Sequence, residues 1–155
     1  MEFSSAEVAL NALKTLSKDK QILIDYRNDC DVLRAKIESI SSPTLSSEPH
    51  GSIPPGTNGD LIAQYLDMQK TLRIKSSFYR EKLEAVNYLL SRMPQRLHAL
   101  TLSERYISGL TWSKISKLTG YSQSYLYKLH RDALESYVQT YIDVYEIVLK
   151  PCIIV

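Results

Sequence analysis

Apolar residues recur at helical spacing from the start of the chain. They stand at Leu13, Leu16, Leu23, Tyr26, Cys30, Leu33, Ile37 and Ile40, with gaps of three, seven, three, four, three, four and three positions. That spacing is close to a heptad seam. Mixed charges lie between these positions, among them Lys18, Asp19, Lys20, Arg27, Asp29 and Arg34. Ser5 is placed to cap such a helix, and Glu7 favours its first turn. The pattern predicts one long helix over residues 4–40 that must cover a single stripe. A second stripe, Leu61, Tyr65, Met68, Leu72, Tyr79, Leu83, Val86 and Leu90, predicts another long helix over residues 60–91, capped by Asp60. It is less regular near residues 75–77, and Phe78 lies one place off it.

Residues 41–59 carry four prolines, three glycines and five serines and no periodic apolar face. They read as an exposed, flexible linker. Two amphipathic helices joined in this way fold back most simply as an antiparallel hairpin, residues 1–91. A coiled coil between chains, using the same stripes, is the competing arrangement. His50 lies in the linker with no second His or Cys near it, so it makes no metal site.

The pattern changes after Met93-Pro94, where proline suits the first turn of a new helix. That helix is expected to run to about Ser108, with Leu97, Leu100 and Tyr106 on its buried side, and to end at Gly109. Thr111 then caps a short helix from Trp112 to Thr119 whose inner side is Ile115 and Leu118. Gly120-Tyr121 makes a turn. Ser122 caps a third helix that continues to at least Tyr137, with Leu126, Leu129 and Ala133 facing inward. Ile115 followed by the small Ser116, glycine at the turn, then Tyr121, Leu126 and Leu129 closing the corner is the spacing of a helix-turn-helix. The module is expected to span residues 92–150.

Composition supports an all-α fold. The 155 residues are 44% hydrophobic and 23% charged, an ordinary folded composition, and five glycines are few for the turns of a sandwich or barrel. Cys30 and Cys152 lie far apart and read as reduced thiols in a cytoplasmic protein. No run of 18 apolar residues suggests a membrane span, and the apolar tail, including Ile147, Val148, Ile153, Ile154 and Val155, is expected to cover the hairpin. The net charge of +2 is unevenly divided. Residues 1–91 hold eleven Lys/Arg and twelve Asp/Glu, whereas residues 92–131 hold seven basic residues against Glu104 alone. A local excess of that size suits a polyanion.

Outward positions carry the candidate chemistry. On the second helix of the corner they are Ser122, Gln123, Ser124, Tyr125, Tyr127, Lys128 and Arg131. Gln can pair with adenine through two hydrogen bonds in the major groove, and Ser can pair with several base edges. Lys128 and Arg131, with Lys114 and Lys117 on the preceding helix, are better placed for phosphates. Tyr125 and Tyr127 can donate to phosphate or pack on thymine methyls. Trp112 reads as structural, and His130 as a surface residue or phosphate donor.

The stretch MPQRLHALTLSERYISGLTWSKISKLTGYSQSYLYKLHRDALESY resembles region 4 of sigma-70-type factors. More narrowly, RYISGLTWSKIS…GYSQSYLYKLHRDAL resembles the ArpU/RinA-type phage regulators of late transcription. The resemblance covers about 45 residues and implies a phage or prophage regulator in the cytoplasm of a bacterial host. It would bind double-stranded DNA at a promoter and act with host RNA polymerase, with Ser122, Gln123, Ser124, Tyr125 and Lys128 on the base-reading side. No counterpart of sigma region 2 is present, so an accessory activator is expected.

An enzyme is disfavoured: there is no phosphate-binding glycine loop, no Cys/His metal spacing and no nucleophile–base pair. No cofactor is expected. A small-terminase-like DNA-recognition protein and a helical protein-interaction factor are the alternatives. One helix-turn-helix buries too little surface for strong specificity, so a homodimer is expected, with the long helices supplying its interface. Deleting residues 1–60 is then expected to weaken DNA binding far more than it disturbs the C-terminal fold.

Overall fold

A computed structural model describes residues 3–41 and 57–146, and they are all-α. Most of the linker, His50, Cys152 and the apolar tail lie outside the described residues. The helices are α1 (Ala6–Ser41), α2 (Thr57–Arg92), α3 (Arg96–Leu102), α4 (Trp112–Thr119) and α5 (Gln123–Tyr141). A π-helical turn follows α3 at Ser103–Ile107, and another follows α5 at Ile142–Glu146. No described helix is long and apolar enough to cross a membrane.

Local chemistry sets most boundaries. Ser5 caps α1, its hydroxyl accepting from the amide of Val8 at 3.3 Å. Helix α2 begins three residues earlier than the apolar stripe suggested, so Asp60 is not its cap. The carboxylate lies instead in the first turn, where the helix dipole favours it. Pro94 stays outside α3, because Gln95 is extended (φ −106°, ψ 111°) and the helix starts at Arg96.

The chain forms two compact units. One comprises Met1–Asp19 and Tyr79–Val155, the other Lys20–Phe78. A boundary at residue 91 was expected, but the main core runs across it. Phe3, Ala9, Ala12, Leu13 and Leu16 are buried with Ala85, Val86, Leu89, Leu90 and Met93, and with Leu102, Ala133, Tyr137 and Tyr141. Hydrogen bonds tie the same parts: Tyr137 Oη donates to the Ala9 carbonyl and Tyr141 Oη to the Phe3 carbonyl at 2.7 Å. Lys82 donates to Thr15 Oγ1 at 2.6 Å and pairs with Asp19. The last turns of α2 thus run beside the first turns of α1 within this unit.

The unit Lys20–Phe78 is a thinner structure of two helical segments. Leu23, Tyr26, Leu33 and Ile37 are half-buried, as are Leu61, Tyr65, Met68 and Leu72, and among its described residues only Cys30 is buried. Lys75 lies over the ring of Tyr26, 6.0 Å from its centre. The seams are therefore used within the chain. Ser76 and Ser77 are half-buried at the irregular place in the second stripe, and Ile40, expected on the first, is exposed.

In the short helices α3 and α4 the structure reverses two expected core positions. Leu100 is 49% exposed, because the inner face of α3 is His98, Thr101 and Leu102. Two polar residues disguise that face: the Thr101 hydroxyl is satisfied by the Leu97 carbonyl at 2.8 Å, while His98 Nδ1 is buried without a hydrogen-bond partner. Leu118 is 73% exposed, since Ile115 is the residue of α4 buried in the small cluster with Leu126 and Leu129, with Trp112 packed at its edge.

Deletion of residues 1–60 would therefore remove part of the core beneath α5. Leu13→Ala, at a fully buried site, is expected to lower the stability of this unit by about 3 kcal/mol. Removal of residues 1–19 is expected to abolish its cooperative unfolding transition. Denaturant titration followed by circular dichroism checks both, and an unchanged midpoint in the truncated chain would contradict the shared core.

Candidate nucleic-acid interface

The corner formed by α4, the turn at residues 120–122 and α5 is built by caps. Gly109, at φ 71°, ends the π-helical turn, and the Leu110 amide then donates to the Glu104 carbonyl at 3.0 Å. Arg105 holds the following loop: its guanidinium donates to the Leu110 carbonyl at 2.9 Å and lies 5.0 Å over the Trp112 ring. Thr111 caps α4 by accepting from the Lys114 amide. Gly120 closes α4 at φ 76°, in the left-handed region that side chains with a Cβ seldom adopt, and its amide donates to the Ser116 carbonyl. The Ser116 hydroxyl donates to the Tyr121 carbonyl at 2.6 Å, so this small residue pins the turn. Ser122 caps α5 by accepting from the Tyr125 amide at 3.2 Å.

Behind the corner, Ile115, Leu126 and Leu129 are buried, with Leu97, Leu110 and Trp112 packed around them. Ala133 is also fully buried. Tyr121 departs from expectation. It is 39% exposed and stacks on Tyr125 with ring centres 5.0 Å apart, outside the core it was expected to close. It adds an aromatic surface that periodicity alone assigned to the interior.

All nine expected contact residues are exposed: Lys114, Lys117, Ser122, Gln123, Ser124, Tyr125, Tyr127, Lys128 and Arg131. With 100° per residue, Ser124, Tyr127, Lys128 and Arg131 share the face of α5 opposite Leu126, Leu129 and Ala133. Gln123 and Tyr125 flank it on either side. Tyr127 is held by Trp112, with ring centres 5.4 Å apart. Lys114 and Lys117, three residues apart, lie on one side of α4. Among the described residues no ion pair engages these two lysines, Lys128 or Arg131. Arg105, by contrast, is half-buried and committed to Leu110 and Trp112, so it contributes to the charge of the segment more than to its surface.

His130 also departs from expectation. It is half-buried, with Nε2 2.8 Å from Tyr106 Oη and its ring edge-on to Trp112 at 4.9 Å. Burial, with Arg105 and Lys14 nearby, pushes its pKa below the ordinary imidazole value. A neutral ring bonded to a tyrosine is a structural joint and a poor phosphate donor. Burial likewise raises the Tyr106 hydroxyl. Trp112, in contact with Arg105, Tyr127 and His130, is the hub of this joint. Among the described residues, no group of three His, Cys, Asp or Glu is arranged to hold a metal ion.

Set against models of protein families, curated proteins and solved structures, the chain matches none.

The His130 environment makes a signed prediction. The unfolded chain takes up a proton on this residue near pH 6.5, the folded chain only at lower pH. Its contribution to stability is thus fully present above about pH 6.5 and declines as pH falls below that value. Thermal unfolding of wild type is expected to shift to lower temperature between about pH 7 and pH 5.5, and His130→Gln is expected to flatten that shift. Equal slopes for the two proteins would show that His130 is not the responsible group.

Proposed function

We propose that the α4–α5 corner is a helix-turn-helix that binds double-stranded DNA, with α5 as the recognition helix in the major groove. The protein would act as a transcription regulator. The observation that carries this reading is the composition of one exposed surface. The outer side of α5 offers Ser124, Tyr127, Lys128 and Arg131, with Gln123 and Tyr125 beside them and Lys114 and Lys117 on α4. It combines groups that recognise base edges with cations for flanking phosphates. The caps at Thr111 and Ser122 and the left-handed Gly120 hold the two helices in fixed relation, which groove binding requires.

The resemblance of the corner to sigma-70 region 4 and to ArpU/RinA-type regulators points the same way. On that reading the regulator activates late phage or prophage genes together with host RNA polymerase. A single corner of this size contacts few base pairs, so two copies on paired half-sites are expected.

DNA from around the protein's own gene should be bound with an affinity that falls steeply as salt rises, because each neutralised phosphate releases counterions. Gln123→Ala combined with Lys128→Ala is expected to reduce selective binding by roughly tenfold or more and to lessen the salt dependence. Titration by fluorescence anisotropy at two salt concentrations measures both effects. Binding that ignores salt and substitution alike would assign the basic surface to a protein partner.

A further inference from the structure

Two cations from the first helix are brought to the α4–α5 corner by packing, although residues 1–91 are nearly neutral as a set. The chain up to Asp19 belongs to the same unit as α5. Tyr141 bonds the Phe3 carbonyl and Tyr137 the Ala9 carbonyl, so α1 runs antiparallel to α5. Each further turn of α1 then lies beside an earlier turn of α5. Lys14 accordingly comes close enough to His130 for its charge to oppose protonation of the ring. Three residues on, Ser17 Cβ lies 3.7 Å from the position that a Cβ on Gly109 would take. This edge of α1 therefore borders both the flank of α5 and the loop that leads into α4.

Lys14 and Lys18 stand on that edge, one turn apart and about 40° around the helix from each other. Both are exposed, and among the described residues no ion pair engages either. Asp19, next to Lys18 in sequence, is held by Lys82 on the side of α1 that meets α2. Glu7 shares the edge but lies seven residues before Lys14, about 10 Å along the axis. Arg105, the other cation beside His130, is committed to Leu110 and Trp112. Contacts lead from this edge to the exposed face of α5: Lys14 neighbours His130, His130 packs on Trp112, and Trp112 packs on Tyr127. A helix with its side chains is about 10–12 Å across and the major groove about 12 Å wide. Whatever flanks a helix seated there meets the sugar-phosphate backbone and not the base edges.

We propose that Lys14 and Lys18 of α1 are a lateral phosphate contact of the α4–α5 surface, binding the backbone of duplex DNA beside the groove that α5 enters. The proposal rests on the DNA-binding reading and deepens it, since α1 then joins the interface directly as well as supporting α5 from behind. Cations at this place hold the duplex and fix its position without reading its sequence.

Fluorescence anisotropy of the full chain tests it, on a duplex from around the protein's own gene and on an unrelated one, across a salt series. Lys14→Gln with Lys18→Gln is expected to weaken binding to both duplexes alike, by roughly tenfold, and to lower the slope of log affinity against log salt by about two. Charges farther from the duplex than a Debye length, about 8 Å at physiological salt, would leave the slope unchanged. Lys14→Arg with Lys18→Arg should keep the wild-type affinity and slope, because either cation neutralises a phosphate. Circular dichroism and the unfolding midpoint should match wild type in both variants, since the two side chains are exposed. A Gln variant with wild-type affinity and slope overturns the proposal and leaves the DNA-binding reading intact. A loss confined to the duplex from the protein's own gene also overturns it, because that would place the lysines at bases. An Arg variant that binds no better than the Gln variant does the same. A wild-type chain that binds neither duplex overturns both readings.

Discussion

Tyr137 is fully enclosed, and its hydroxyl reaches the carbonyl of Ala9 near the start of the first helix. One turn further on, Tyr141 bonds the carbonyl of Phe3. These contacts join the two extremes of the described chain, and the placement of the α4–α5 corner depends on them. The direction in which a helix presents its exposed face is fixed by what packs behind it. Here α5 is a nineteen-residue helix whose later turns are packed among Ala9, Ala12, Leu13 and Leu16 on one side and Val86 and Leu89 on another. Burial pushes the Tyr137 hydroxyl well above the usual phenol range, consistent with a neutral group that bonds and does not titrate.

The base of the two long helices is thus a foundation for α5. That role explains why small residues line α1 near its start. Ala9 and Ala12 let a tyrosine ring of α5 approach the backbone closely, and a longer apolar side chain at either site would displace it. It also places two kinds of surface in different units. The α4–α5 face is polar and basic. The unit Lys20–Phe78 is nearly balanced in charge and carries exposed apolar residues on both of its helical segments, among them Ile22 and Val32 on α1 and Leu66 and Phe78 on α2.

Around the corner itself, aromatic and cationic groups serve as structure more than as contacts. Arg105 organises the loop before α4, Trp112 collects Arg105, Tyr127 and His130, and Tyr106 fixes the imidazole. Four residue types that commonly meet nucleic acid are therefore engaged with one another. The cations left pointing outward, Lys114, Lys117, Lys128 and Arg131, are the ones that a polyanion would meet first.

The sequence by itself determined the all-α class, the approximate extent of the long helices and the caps of α4 and α5. These are local matters: heptad spacing over many turns, and the conformational demands of Ser, Thr and Gly, act within a few residues. It also placed the nine contact candidates on the exposed side of α4 and α5, because Leu126, Leu129 and Ala133 define the opposite side clearly. Short helices were harder to orient. In α4, of only two turns, Ile115 and Leu118 are chemically equivalent, and only the position of α5 decides which is covered. In α3 the inner face carries His98 and Thr101, so hydrophobicity pointed to Leu100 instead. Tertiary structure alone decided that Tyr121 stacks outside on Tyr125, that His130 is a half-buried joint, and that residues 3–16 belong with α5. Each depends on contacts between residues far apart in the chain. No periodic pattern records such contacts, since they arise only when separate helices exclude water from one shared interior.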